Sequence, residues 1–250
     1  MNTAGHAACQ WYIDDVLSQA NGGRGAFVQS IPGASGLLLG DWSRFRTFAN
    51  SGFGIALLGT ASEPVQAFRL HESFLGSDGG GELYLDTYGF GHKIHDTFFE
   101  RSGLDPTGPT LTTPASGIGW GIQATANNTD FRVDNSSISY CSQGGVYSEA
   151  GKLRLTTVFF DHLTAGVNVA NGNTYREVGC DFTSVTTPRT IVANPQGAII
   201  VGSDTGSAGA NPTRIPGGIT VGNAVGGDPG AGLVNVAGGL LKNNVAYNNP

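Results

Sequence analysis

The sequence predicts an all-β chain wound as a parallel solenoid, and three observations carry that prediction. Glycine supplies 40 of the 250 residues, more than twice the roughly 7% of ordinary proteins. Charged residues make up 13%, about half the usual ~25%, while apolar residues still reach 39%. One short sequence shape also recurs along the middle of the chain, mostly 22 or 24 residues apart. The apolar content excludes a disordered polar tail. Collagen is excluded because no Gly-X-Y period runs through the chain. A helical bundle or coiled coil does not fit a chain so poor in Lys, Glu and Met.

Along the chain, the first element expected is a helix. CQWYIDDVLSQANGG (9–23) places Trp11, Val16 and Leu17 to one side, Asp14 and Asp15 early, and Gly22 as a stop. Residues 1–25 are therefore read as a capping segment covering an open sheet edge.

Residues 26–195 are read as the solenoid. LHESFLGS, IHDTFFER, VDNSSISY, LTTVFFDH and EVGCDFTS begin at 70, 94, 133, 155 and 177. Each has an apolar start, a small or polar residue two positions on, and an apolar residue five positions on. Glu177 breaks the first position, and Val178 beside it suggests a local slip. The one long interval, from 94 to 133, contains the insertion GLDPTGPTLTTPASG (103–117). Short strands interleave with these segments: ELYLD (82–86), WGIQA (120–124), GVYSE (145–149), GVNVA (166–170) and TIVAN (190–194). Repeats this short cannot be βαβ units, and each buries its apolar face only by stacking on the next. Stacking sets equivalent residues in columns, one rung about 4.8 Å from the next.

Residues 196–250 are poor in aromatics and charge. GGITVGNAVGG and GLVNVAGGLLKNN are short strands set in glycine, too narrow for a wide core. They are expected to pack against copies of themselves in a homotrimer, with two thin final coils of a monomer as the alternative.

Charge and cysteines narrow the partners. A net charge of −6 and a pI near 5.2 argue against a nucleic-acid partner or a basic membrane anchor. No apolar run approaches the ~18 residues of a membrane span. The first twenty residues lack a basic n-region, so no signal peptide is read. Cys9, Cys141 and Cys180 form neither a paired framework nor a metal motif and are expected as buried thiols.

The N-terminal stretch, continuing as GGRGAFVQSIPGASGLLL (22–39), resembles the cap and first strand of pectate-lyase-like right-handed parallel β-helices. The repeats, clearest at VDNSSI (133–138), resemble the coils of the same superfamily. With the glycine-rich carboxyl end and no signal peptide, they are most similar to the trimeric tailspikes of bacteriophages. The G-D-G-x-x-D-D-T stretch usual before the cap helix is absent. The resemblance implies a virion protein, assembled in the host cytoplasm, that binds a bacterial surface polysaccharide and contacts other virion proteins. A polysaccharide depolymerase, hydrolase or lyase, is the second expectation. A purely structural trimer, as a fibre or capsid decoration, is the third. No cofactor or metal is expected.

The columns supply candidate site residues. Glu72, Asp96, Asn135, Thr157 and Gly179 form one, read as an internal polar ladder that caps turns. Glu72 and Asp96, one rung apart, also lie near the ~5 Å spacing of a retaining glycosidase. The neighbouring outward column is His71, His95, Asp134, Thr156 and Val178, read as a solvated face. The favoured cluster ends the repeats: Glu100-Arg101, Ser139-Tyr140 and Asp161-His162. Glu100 and Asp161 would lie two rungs apart, near the upper end of the ~6.5–9.5 Å spacing of inverting glycosidases. They are the catalytic candidates. Tyr140 would stack a sugar ring, Arg101 would hold a sugar carboxylate, and Ser139 and His162 would complete the glycan contacts. An exposed turn closed by a salt bridge is the alternative reading of the same residues.

Overall fold

One rung shows how the repeat folds. His92–His95 is a strand, Asp96 turns the chain at φ 51°, and Phe98–Glu100 is a second strand. Arg101 turns it again at φ 62°, and Trp120–Ala124 forms a third strand beyond the insertion. The computed structural model describes residues 11–30, 37–38, 40–103, 119–125, 129–170, 174–191, 199–203, 219–221, 224–226, 240–242 and 245–247. Among them every element is a β-strand, and every pairing is parallel. No helix among the described residues is long and apolar enough to cross a membrane.

The first strands of all rungs make one ten-stranded sheet, in chain order from Trp11–Asp14 to Leu240–Lys242. The second and third strands make a twelve-stranded sheet with two faces. Phe159–Val169 and Asp181–Ile191 run unbroken around the corner and join those faces. Two two-stranded pairs complete the topology.

The apolar residues of the repeat point inward in columns. Leu70, Ile94, Val133 and Leu155 line one wall of the interior. Leu75, Phe99, Ile138, Phe160 and Phe182 line the second. Leu83, Ile122, Val146 and Val167 line the third. All are buried, and each large side chain removed from water contributes roughly 1.5–3 kcal/mol. Phe160 and Phe182 stack with centroids 4.6 Å apart. Their room comes from glycine, since a Cβ on Gly145 would lie 2.7 Å from the Phe160 ring, and one on Gly166 2.7 Å from the Phe182 ring.

Both corners are built the same way wherever they are described. Asp15, Arg44, Glu72, Asp96, Asn135, Thr157, Gly179 and Gly202 occupy the first corner with φ between 44° and 61°. Ala20, Ala49, Ser77, Arg101, Tyr140, His162 and Ser184 occupy the second with φ between 49° and 62°. A left-handed residue costs a side-chain-bearing chain roughly 1 kcal/mol or more. Asn, Asp and Gly bear it best, which accounts for part of the polar and glycine content.

Three expectations are corrected. Residues 11–19 form no helix: Trp11–Asp14 and Leu17–Gln19 are strands of the first described rung. Trp11 and Ile13 pack toward the core while Tyr12 and Asp14 point out, and the left-handed Asp15 breaks any helical run. There is also no slip at Glu177, which pairs in register with Leu155 and faces the interior. Finally, Glu72, Asp96, Asn135 and Thr157 do share a column, but it is an exposed outer corner.

The inner polar ladder lies one residue past the second corner. Asn50 donates from its backbone and side-chain nitrogens to Asp78 Oδ1, both at 2.8 Å, and Thr47 donates to Asp78 Oδ2 at 2.6 Å. Asn21 continues it downward through a 2.7 Å bond to Asn50. Higher up, the same position holds Ser102, Cys141, Leu163 and Val185, so the ladder turns apolar along the axis. Burial raises the Asp78 carboxyl and, helped by the Asp78 charge, raises Glu82 well above its usual range. Cys141 and Cys180 are buried free thiols, both pushed up by burial, Cys141 to about 11. Cys9 and nearly all of the 103–117 insertion lie outside the described residues.

Strands Ile199–Val201, Ile219–Val221 and Leu240–Lys242 extend the ten-stranded sheet in the same parallel sense. Most of residues 196–250, to which trimerisation was assigned, lies outside the described residues.

Candidate functional site

The strand Phe98–Glu100 exposes Phe98, leaves Glu100 half-buried on the same face, and buries Phe99 between them. The same alternation on the next two rungs turns Ser137 and Ser139, then Phe159 and Asp161, outward, Phe159 exposed and the other three half-buried. Three rungs therefore carry two parallel columns, Phe98–Ser137–Phe159 and Glu100–Ser139–Asp161. Left-handed corners border them on either side: Asp96, Asn135 and Thr157 on one, Arg101, Tyr140 and His162 on the other.

The predicted carboxylates thus stand on one column with Ser139 between them. Two rungs separate them by roughly 9–10 Å, enough for a sugar bond and a water. Each is engaged by the corner residue that follows it. Arg101 Nε lies 3.2 Å from Glu100 Oε1, and His162 Nδ1 lies 2.7 Å from Asp161 Oδ1. Tyr140 and His162 stack with centroids 4.7 Å apart and planes 14° from parallel. The Tyr140 ring is 40% exposed, so its free face meets solvent. Tyr140 sits beside the carboxylate column at the corner, not between the two carboxylates. All six predicted residues, Glu100, Arg101, Ser139, Tyr140, Asp161 and His162, fall on one edge of three consecutive rungs.

Sequence reasoning missed the aromatic column. Phe98 is 60% exposed and Phe159 is 39% exposed, and the two flank a shallow cleft floored by Ser137 and rimmed by Asp96, Asn135 and Thr157. The signal was available: four residues after the first four repeat starts stand Phe74, Phe98, Ser137 and Phe159. Leaving large rings exposed on two rungs either side of Ser137 costs apolar contact with water, which marks a contact surface.

The other predicted columns are satisfied internally. His71 and His95 stack with centroids 5.0 Å apart and planes 2° from parallel. His71 Nε2 lies 3.1 Å from Asp41 Oδ1, and its Nδ1 lies 3.8 Å from Glu72 Oε1. His95 Nδ1 lies 2.7 Å from Asp96 Oδ2, and Asn135 Nδ2 donates to Asp96 Oδ1. The hydrogen bonds from His95 and Asn135 hold the Asp96 carboxyl below its usual range. Among the described residues no three His, Cys, Asp or Glu side chains are grouped to hold a metal ion. Comparison with family models, with curated proteins and with solved structures finds no match for the chain.

Proposed function

We propose that this chain is a spike-type protein of the right-handed parallel β-helix kind that binds a bacterial surface polysaccharide along its stacked wall. The observation that carries the reading is the pairing of the Phe98–Ser137–Phe159 and Glu100–Ser139–Asp161 columns on the same three rungs. Sugars present apolar C–H faces and hydroxyl edges, and this strip offers rings, a stacked Tyr140–His162 edge and acidic acceptors at rung spacing. Resemblance of the repeats to tailspike coils supports the virion setting, the homotrimer and contacts to other virion proteins. Those expectations stand with the reading.

A second activity rests on the carboxylates alone. Glu100 and Asp161, two rungs apart, fit an inverting hydrolysis in which one protonates the leaving oxygen and the other activates water. Reducing-end release from purified capsule or lipopolysaccharide glycan, with binding followed in parallel, tests both. Cleavage that falls about 10²- to 10⁴-fold in Glu100→Gln or Asp161→Asn, with binding intact, supports a depolymerase. Binding without cleavage supports a receptor-binding spike. Neither binding nor cleavage leaves the structural trimer.

A further inference from the structure

The opposite wall carries a charge pattern that polysaccharide binding at Glu100 does not use. On the ten-stranded sheet the central outward position is Arg69, Lys93, Arg132, Arg154 and Arg176 on five successive rungs. These are five of the 13 Lys and Arg residues in a chain of net charge −6. Like charges directly opposite on neighbouring strands repel, so the column costs the fold stability on every rung. Among the described residues only Arg132 is relieved by an ion pair, to Asp134 on its own strand. Among the described residues Arg69, Lys93, Arg154 and Arg176 make no ion pair, although Asp41 lies across from Arg69 on the rung below and the Lys93 charge acts on Asp96, and Arg154 Nε is buried without a hydrogen-bond partner. A repulsive arrangement over five rungs, offset only at its edges and lower end, is the mark of a surface shaped for a ligand.

We propose that this column is a docking track for a linear acidic polysaccharide, one bearing carboxylates on successive or alternate sugars, laid parallel to the stack axis. The kind of polymer rests on the reading above, but the track needs neither Glu100 nor Asp161. Cations recur about every 4.8 Å, close to the rise of one extended pyranose residue. Arginine forks pair bidentately with carboxylates, and four of the five are arginine. Beside the central three cations the surface forms a cleft also lined by Asp96, Asp134, Asn135 and Thr156, of which Asn135 and Thr156 suit sugar hydroxyls.

A nucleic acid fits less well. The track is one residue wide, with Asp130 on one side and Asp134 and Asp96 on the other, so an anionic chain must set its charges in single file over the cations, which a linear polyuronate does and a broad phosphate backbone does not. Single strands also need aromatic platforms, and the outward positions of these five strands hold no Phe, Tyr or Trp.

The test is a binding titration of the whole chain, at low and moderate salt, with polygalacturonate, neutral dextran and an oligothymidylate. Polygalacturonate is expected to bind best and to weaken as salt rises. The triple variant Lys93→Gln, Arg132→Gln, Arg154→Gln, checked for an unchanged β-sheet circular dichroism spectrum, should lose about tenfold or more in affinity. Arg24→Gln, an exposed cation off the track, should lose none. Dextran binding as tight as polygalacturonate, or an unaffected triple variant, overturns the track while leaving polysaccharide binding standing. Tighter binding of the oligothymidylate assigns the track to nucleic acid and overturns it. If no polysaccharide binds on any surface, both the track and the reading beneath it fail.

Discussion

Glu177 and Arg189 form an ion pair inside the stack. Arg189 Nη2 lies 2.5 Å from Glu177 Oε1 and Nε lies 2.6 Å from Oε2, with side-chain exposures of 3% and 0%. The Tyr175 hydroxyl donates to the same carboxylate, and the guanidinium sits 4.3 Å over the Phe182 ring. Glu177 takes the inward position held by Leu155 one rung below, and Arg189 that of Val167. Two apolar columns are thus replaced by a matched pair across the interior.

Removing one partner should cost far more than removing both. Arg189→Leu strands a buried carboxylate and is expected to lower stability by about 3–5 kcal/mol. The double variant Glu177→Leu, Arg189→Leu should recover most of that loss. Burial alone would raise the Glu177 carboxyl, but the Arg189 charge and hydrogen bonds outweigh it and hold it below 4.5. A depressed carboxylate gives stability that is present above 4.5 and lost as pH falls through the folded value. Denaturant unfolding from pH 7 to pH 3 checks this, with the wild-type advantage over Glu177→Gln shrinking at the acid end.

His92 predicts a separate acid loss at milder pH. It is buried, its Nε2 lies 3.0 Å from Thr87 Oγ1, and burial lowers its pKa from 6.5 to about 4. The imidazole is neutral in the fold and gains a proton on unfolding, so stability falls as pH drops from 6.5 toward 4. The loss approaches on the order of 3 kcal/mol for that gap. His92→Gln should flatten the pH profile in this window, as read by melting temperature against pH.

The corners predict opposite signs for one kind of substitution. Thr157 is β-branched at φ 52°, so Thr157→Gly is expected to raise stability by about 1 kcal/mol. Gly179, one rung on at φ 60°, has only Thr157 Oγ1 at 4.0 Å near an added Cβ. Gly179→Ala should therefore cost about 1 kcal/mol through the backbone alone. Chemical denaturation of the two variants measures both.

The exposed rings predict binding without a stability change. Phe98→Ala and Phe159→Ala should each weaken oligosaccharide binding about 3- to 10-fold, as expected for a lost ring contact of ~0.5–1.5 kcal/mol. Their unfolding free energies should stay within about 0.5 kcal/mol of wild type, because surface changes usually do.

Much of this was legible in the sequence because the period is nearly invariant. Counting from Leu70, Ile94, Val133 and Leu155 placed Glu72 with Asp96 and Asn135, and Glu100 with Ser139 and Asp161, on the columns observed. The helix over 9–23 failed because Trp11, Val16 and Leu17 fit a helical face equally well in so short a window. Only the left-handed Asp15 and pairing to Gly40–Ser43 decide for strand. Glu177 read as a slip because a charge at an apolar position is costly, and its compensation by Arg189 lies twelve residues on, across the interior. The basic track escaped because it places one residue in each repeat, so no local run of charge announces it.

Affinity measured against glycan length tests the central claim most directly. Fragments of the host polysaccharide, from one sugar to ten, would be titrated by calorimetry into the wild-type chain. Binding along stacked rungs predicts affinity that climbs with each added sugar until the fragment spans the columned surface, then levels. No binding at any length, or affinity that is complete with a single sugar, would contradict it.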